Sequence, residues 1–480
     1  MDSPNPAPLI PSRCSPDRFA VIGAGPVGLG IARALAAHGI PYEQLEADDD
    51  VGGNWYHGVY TTAHIISSKK TTEYADYPMP AHYPDFPSAQ QMLDYLRNYA
   101  DHFGLRRHIQ FRTKLLMALP REDGLWEAET VTADERRVDG GPVLCQGDLA
   151  SPRSEKRVYK GLIVCNGHHW DRRFPATPGT FAGELIHSKD YKSPEQLRGK
   201  RVLVIGGGNS ACDIAAEAAR VAASCDLSLR RGYWFLPKTL FGIPLADIAS
   251  PWFPVAAQRL FLRLMLRVVA GDFRKYGLPK PDHRIFETHP TINSELLHYV
   301  KHGRIRPRPE VARYDGPRVE FADSSSAEYD LVVCATGFHV SFPFLPAGLV
   351  PVKGSVAQLY AGCVLPDYKH LYIIGTTQVR YGFGPLVTPG ADLIARMIAL
   401  QDQMELPLGL VFKESGYKLP TTHLVDPHVS LRRMRLAPLA FPLLLRKERS
   451  LRAKQARSLE THPSPAAVGA QPVNPNLEVY

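Results

Sequence analysis

The sequence predicts an α/β chain built around two copies of a strand–turn–helix–strand unit, and three observations predict it. Short apolar runs at 19–22 and 201–205 lead straight into glycine-rich turns at 23–28 and 206–211. Each turn opens a segment of helical pattern, 29–38 in one copy and onward through Arg220 in the other. A further strand-like run follows each helix, at 42–46 and at 226–230. Strands alternating with helices specify a parallel sheet covered by helices, so each copy is Rossmann-like.

The first turn carries Gly23, Gly25 and Gly28 in the spacing GxGxxG, with Pro26 and Val27 between the last two. The first glycine allows the tight turn, the second lets a pyrophosphate approach the backbone, and the third allows close strand–helix packing. The helix that follows offers unpaired N–H groups and a partial positive charge. Glu46 ends the second strand, where a carboxylate accepts hydrogen bonds from a ribose diol. In the second turn Gly206 and Gly208 are kept, with Asn209 and Ser210 following and Ala211 where a third glycine would stand. Its second strand ends in Arg230 and Arg231, charges that suit the 2′-phosphate of NADP. One acidic and one basic clamp imply FAD plus NADPH. The runs 162–167 and 331–337 each end in glycine and are natural crossing points between the units. The polar stretch 132–157 is expected to be a hairpin or loop excursion.

Composition limits the alternatives. A chain of 480 residues, 44% hydrophobic, is long enough for about three units of roughly 150 residues. No apolar run reaches the ~18 residues a membrane-spanning helix needs. The seven cysteines form no CxxC pair, which argues against a disulfide framework, a zinc finger or a dithiol redox centre, and a reducing cytoplasm is the simplest setting. Scattered histidines call for no metal. Residues 431–457 hold nine Lys or Arg against one acid, Glu448, so most of the net charge of +8 is a basic tail on a near-neutral body. That distribution does not describe a nucleic-acid surface. A solvated tail is the plain expectation, and a peripheral membrane contact the sharper one. In 255–270, Arg259, Arg263 and Arg267 recur every four residues on an otherwise apolar helix. Core or homodimer packing would bury it; a channel wall or membrane contact is the alternative.

Phe181, Gly183, His187 and Tyr191 fit the pattern FxGxxxHxxxY. With Gly52-Gly-Asn-Trp55, Asp85-Phe-Pro-Ser, Leu229-Arg-Arg-Gly-Tyr-Trp and Ala335-Thr-Gly337-Phe, this resembles the flavin-containing monooxygenases over about residues 19–400. Baeyer–Villiger relatives of the first type usually carry Trp where this chain has Tyr191. The resemblance implies an FAD domain split in sequence by an inserted NADP domain. The expected boundaries are a flexible N-terminus at 1–18, FAD segments at 19–168 and 336–430, the NADP domain at 169–335, and a basic, partly disordered tail at 431–480.

It also implies roles. Gly23, Gly25, Pro26, Val27, Gly28, Glu46, Gly53, Asn54 and Trp55 would hold FAD. Gly206, Gly208, Asn209, Ser210, Asp213, Arg230 and Arg231 would hold NADP, Ile65, Ile66, Ser67 and Gly337 would also lie on the cofactors, and His187 would sit in the linker. Where the better-known members carry Thr-Asn, this chain has Ile65 and Ile66, followed by Ser67 and preceded by His64. This is similar to a second, bacterial type in which a histidine replaces the asparagine and ketone oxidation is often seen. His64 and Gln378 are the expected catalytic residues, His64 toward flavin or NADP and Gln378 at the flavin–nicotinamide interface. The implied mechanism is NADPH reduction of FAD, capture of O2 as a C4a-hydroperoxyflavin, and oxygenation of a small substrate at sulfur or nitrogen or beside a ketone. An NADPH oxidase or flavin reductase that releases peroxide, and a non-enzymatic FAD-bearing scaffold, remain as alternatives.

Overall fold

The structure is a computed structural model that describes residues 12–133, 153–248 and 254–461. Two parallel sheets organise it. In the first, Ser12–Ile22 lies between Tyr42–Leu45 and Arg153–Val164, with Phe19 opposite both Tyr42 and Gly161. Ile109–Gln110 extends one edge. On the other side Arg153–Val164 pairs at one end with the antiparallel hairpin Thr113–Pro120 and Trp126–Thr132, and at the other with Leu371–Ile373. That late strand places Leu371 beside Leu162.

The second sheet runs Ile305–Arg308, Ser224–Ser228, Arg201–Ile205, Leu331–Cys334, Glu184–His187, all parallel. Val202 to Ile205 and Leu331 to Cys334 are buried without alternation, as strands covered on both faces require. The first sheet is resumed after the second has been completed, so the second is nested within it in sequence.

Helix Pro26–Ala37 packs on helix Gly384–Gln401. A Cβ at Gly30 would lie 2.3 Å from Val387 Cγ1, so the missing side chain sets how closely the two helices approach. Leu29, Ile31, Ile394 and Ile398 are buried there.

Three expectations are corrected. The N-terminus expected to be flexible to residue 18 is in the first strand from Ser12, with Ser15 opposite Tyr159. The basic tail is folded in its described part. Pro427–Leu436 and Phe441–Thr461 are helices, and Leu444 joins the first core. Glu448 is buried and accepts hydrogen bonds from the Glu405 and Leu406 amides at 3.1 and 3.3 Å. Pro442 falls in a first helical turn, where proline is tolerated, and so does not break the element. The disorder expected for 458–480 does not begin before Thr461, and 462–480 lie outside the described residues, as does 134–152 within the expected hairpin.

Helix Val255–Val269 buries Gln258, Leu262 and Leu266 on one stripe against a small core that includes Leu240 and Leu245. Its opposite face leaves Leu260, Phe261, Leu264, Val268 and Val269 exposed. Of the arginine stripe, Arg259 donates to the Ile285 carbonyl at 2.8 Å, whereas Arg263 and Arg267 are exposed.

Candidate active site

The first glycine turn is shaped by contacts that a side chain would prevent. Gly23 has φ +98°, and a Cβ there would lie 2.8 Å from the Cys165 carbonyl oxygen. At Gly28 a Cβ would sit 2.0 Å from the Gly23 oxygen. A second turn folds over the first, the Gly52 amide donating to the Ala24 carbonyl at 3.1 Å. A Cβ at Gly53 would lie 3.0 Å from the Gly25 Cα, so glycine faces glycine. Helix Pro26–Ala37 begins here with no side-chain cap. The result is a slot lined by backbone at the positive end of a helix, and this cradle fits a dinucleotide pyrophosphate.

Glu46 closes the turn. Its two carboxylate oxygens accept from the Ala24 amide at 2.5 Å and the Asp48 amide at 3.0 Å. Burial pushes its carboxyl up to about 7, against the pull of those amides. The expectation placed this group on a ribose; in the structure its first partners are the turn's own backbone.

The second turn repeats the design. Gly206, at φ +129°, would place a Cβ 2.3 Å from the Ala335 oxygen, whereas a Cβ at Gly208 would meet nothing within 4 Å. Helix Asn209–Val221 also lacks a side-chain cap. Tyr233 covers Gly207, and Arg231 lies over the Tyr233 ring at 5.3 Å, which brings its charge beside the turn. Arg230 is exposed at the end of the neighbouring strand. Asn209, expected on the cofactor, is a brace instead: its amide donates to the Pro290 carbonyl and its oxygen accepts from the Ile292 amide.

Several expected ligands turn out to join the two units. Asp213 accepts from the Tyr60 hydroxyl at 2.8 Å and the Asn293 amide at 2.7 Å, so both its oxygens are engaged. Glu217, one helical turn on, accepts from Thr62 and Tyr191. Lys192 donates to the His57 carbonyl at 2.7 Å and Lys189 to the Asn54 side-chain oxygen at 2.6 Å. His64 contacts Lys238 Nζ through Nε2, and its Nδ1 faces the Thr62 carbonyl at 3.3 Å. It lines a cavity of about 170 Å3 with Asp213, Glu217 and Glu295. Nε2 therefore serves the seam between the units, while Nδ1 faces its own loop. Trp55 packs against both major cores.

The fingerprint is likewise structural. His187 is 0% exposed; its Nε2 donates to the Gly337 carbonyl at 3.0 Å and its Nδ1 accepts from the Lys189 amide. Gly337 is thus a brace for the linker. Phe181 packs on Tyr314, and a Cβ at Gly183 would lie 2.7 Å from the Asp330 oxygen. Ile65 is buried in the first core, with its amide donating to the Pro87 carbonyl at 3.1 Å, and Ile66 packs on the small core near Leu240. Ser67 hydrogen-bonds Thr72 at 2.7 Å.

A group of imidazoles adjoins both turns, where the sequence showed only scattered histidines. His168 Nδ1 donates to the Gly375 carbonyl at 2.8 Å, and Gly375 sits against Val27 at the start of the first helix. The His169 ring is 4.1 Å from that of His168, and its Nε2 is 3.4 Å from Gln378 Nε2. The backbone N–H of Gln378 donates to the His423 carbonyl at 2.7 Å. His289 precedes Pro290 and Thr291, which hold Asn209 and the Gly207 carbonyl. Burial pushes His169 down to about 3 and His289 to about 4, and lowers His168 and His423 as well. These rings are neutral at neutral pH. Lys189 faces them, pushed down to about 8 by burial and then by Lys192 and Arg172. The signal for His168 and His169 was their place just past the end of a buried parallel strand, where such sheets deliver functional groups. His289 and His423 sit in loops and carried no signal.

Residues 16–401 match the family model described as flavin-binding monooxygenase-like. Flavin-containing monooxygenase 5 of Oryctolagus cuniculus is 34% identical over 414 residues, covering 80% of this chain and 73% of the relative. Among solved structures, the open form of cyclohexanone monooxygenase aligns with a TM-score of 0.65 at 18% identity, over 89% of this chain and 98% of that one. The S-allyl-L-cysteine S-oxygenase of Allium sativum aligns at 0.58 and 18%, over 95% and 94%. These structures share the fold of two Rossmann-like units. Two glycine cradles, each at a helix N-terminus without a side-chain cap, thus have their counterpart in a known family: the chain belongs to the flavin-containing monooxygenases and is a flavin-dependent monooxygenase that uses FAD and NADPH.

Proposed function

We propose that the chain transfers one oxygen atom of O2 to a small, uncharged organic substrate, a ketone or a thioether. The observation that carries this reading is the group of imidazoles with Lys189 beside them, tied through Gly375 to the first glycine turn and lying next to Pro290 and Thr291, which brace the second. The groups that act most strongly on His169 are His168, His289, Lys189 and His423, while the acids Asp48 and Asp190 act on Lys189. The immediate surroundings of His169 are thus neutral or cationic, which disfavours a protonated amine beside it, whereas a carbonyl or a sulfur needs no counter-charge. The names of two structural neighbours, a cyclohexanone monooxygenase and an S-oxygenase, lie in the same two substrate classes.

FAD, when bound, supplies the redox chemistry with oxygen. The chain's part is to bind, orient and exclude water. In this reading residues 12–168 and 336–461 form the FAD domain and 169–335 the NADP domain. The Gly23–Gly28 and Gly53–Trp55 turns cradle the FAD pyrophosphate. Glu46 keeps lone pairs beyond its two backbone bonds, and a ribose hydroxyl takes one of them. Gly206, Gly208 and Ser210 receive the NADP pyrophosphate, and Arg230 and Arg231 its 2′-phosphate. Asp213, Lys238 and His64 hold the two units at a fixed separation. Gln378 faces the nicotinamide.

The test is product analysis with a ketone, a thioether and a tertiary amine, each at pH 7 with NADPH. Ketone and thioether should be oxygenated with product close to NADPH consumed. Faster oxygenation of the amine would refute the charge argument. Peroxide with every substrate would favour the oxidase alternative.

The membrane contact moves from the tail to helix Val255–Val269. Phe241 and Ile243, on the hairpin packed beside it, are 89% and 50% exposed, and with Leu264 and Val268 they form an apolar surface flanked by Arg263 and Arg267. Apolar side chains rimmed by cations and without acids on the helix fit an anionic bilayer surface. Among the described residues no helix is long and apolar enough to cross a membrane.

A further inference from the structure

The wide helical turn Asn54–Gly58 follows directly on the loop in which Gly53 faces Gly25 in the first cradle. It has π geometry, a rare form, and a five-residue helical segment does not persist on its own bonds. Two cations from the second unit hold it. Lys189 Nζ donates to the Asn54 side-chain oxygen at 2.6 Å, and Lys192 Nζ donates to the His57 carbonyl at 2.7 Å. An ammonium group can only donate, so the oxygen of the Asn54 amide and not its nitrogen faces Lys189. The Lys192 carbonyl in return accepts from the Thr61 backbone N–H at 2.9 Å.

Both lysines are aimed by the second unit. They follow strand Glu184–His187, which belongs to the second sheet. His187, tied to the Gly337 carbonyl, accepts from the Lys189 backbone N–H at 3.1 Å. Tyr191, between the lysines, is fully buried and donates to Glu217 on the helix that starts at the second glycine turn. The first unit makes room for the contact. A Cβ at Gly58 would clash with Asn54 Oδ1 and lie 2.5 Å from Lys189 Nζ, so only glycine lets the pair meet there. Backbone bonds and Tyr191 thus fix where the lysines start, and a missing side chain clears the place where Lys189 ends.

We propose that Lys189 and Lys192 are positioning residues for FAD supplied by the second unit: they hold the turn Asn54–Gly58, and with it the Gly53 side of the first cradle, so that FAD retention depends on the linker. The inference rests on the reading that the FAD pyrophosphate lies at Gly25 and Gly53. Each lysine acts through the turn and not on the cofactor itself.

The experiment measures FAD release from the full FAD-loaded chain, followed by the rise in flavin fluorescence on dilution. Losing one hydrogen bond made by a charged group should speed release about tenfold in Lys189→Met. Gly58→Ala should do the same with both lysines intact. It displaces only the ends of two side chains, and it carries the test should Lys189→Met lose its fold. The two changes remove one contact, so the double variant should release FAD no faster than either single one. Lys192→Met should add its own effect, and Lys189→Arg, which keeps a charged donor, should restore most of the retention. NADP+ affinity of the FAD-loaded variants should stay within about twofold of the unaltered chain, because Pro290 and Thr291 brace the second turn independently, whereas a general loss of stability would weaken both cofactors. Unchanged release in both Lys189→Met and Gly58→Ala overturns the inference, as do multiplying effects in the double variant or an equal loss of NADP+ affinity. Gly25→Ala separates the two levels, since its φ of −74° suits alanine and the added methyl enters the slot 3.6 Å from the Gly53 Cα. If that variant retains FAD as the unaltered chain does, the first-cradle reading itself fails. If it releases FAD faster while the Lys189 and Gly58 variants do not, only the role of the lysines fails.

Discussion

Gly208→Val tests the second cradle with little disturbance of the fold. Gly208 has φ −82° and ψ −180°, extended backbone that valine adopts readily. A Cβ there meets no protein atom within 4 Å, so the folded chain should lose only about 1 kcal/mol or less as an N-cap effect. The same methyl groups occupy the space through which a pyrophosphate reaches the helix N-terminus. A hydrogen bond from a backbone amide to a charged group contributes about 1.5–3 kcal/mol, so losing one weakens NADP+ roughly ten- to hundredfold. Gly206→Val is the contrasting change: its Cβ would lie 2.3 Å from the Ala335 oxygen at a φ of +129°, and it should lower the unfolding temperature steeply. The assay is NADP+ titration of the FAD-loaded protein, followed by flavin absorbance, beside thermal unfolding. Unchanged NADP+ affinity in Gly208→Val would refute the assignment of this turn to the pyrophosphate.

Arg231→Ala should weaken NADPH about tenfold or more and NADH much less, as measured by the two KM values; equal losses would remove the 2′-phosphate role. Glu46 supplies a pH prediction for the FAD-free chain. Its folded carboxyl titrates near 7, above the ordinary carboxylate range, so between the two the folded chain keeps a proton the unfolded chain has released. Stability should therefore fall as pH rises from about 4.5 to 7, by on the order of 3 kcal/mol, and Glu46→Gln should flatten that slope in denaturant unfolding. Leu444→Ala should cost about 2–5 kcal/mol because the side chain belongs to the first core, whereas Arg446→Gln should cost little; equal small effects would restore a solvated tail. Leu264→Asp with Val268→Asp should abolish co-sedimentation with vesicles containing phosphatidylglycerol and leave the unfolding temperature unchanged. Concentration-dependent dimers that these changes disrupt, without any vesicle binding, would assign the surface to a second copy of the chain.

The two nucleotide units were legible in the sequence because close approach leaves a side-chain-free mark. Gly23, Gly28 and Gly206 each stand where a Cβ would collide with backbone, and such collisions are short-range and local. What escaped were contacts between residues far apart in the chain. Asp213 and Asn209 looked like ligands because they follow a glycine turn, but Tyr60, Asn293 and Pro290 engage them first. His64 stood at a position of interest, yet its Nε2 faces Lys238, a pairing set by how the units dock, and its Nδ1 faces the nearby Thr62 carbonyl. The imidazoles of the cleft come from separate segments, and no local spacing announces them. The C-terminal segment was misjudged because its charges dominate composition, whereas the few apolar residues that bury, Leu444 first among them, decide where the helix goes.

The central claim is that reducing equivalents from NADPH are coupled to oxygen transfer in this cleft. The most direct measurement is the ratio of product and of hydrogen peroxide to NADPH consumed, with and without a ketone or thioether substrate, under 18O-labelled oxygen. The account predicts that substrate suppresses peroxide and that each product molecule carries one labelled oxygen atom. Peroxide equal to NADPH consumed with every substrate, and no label in any product, would contradict it.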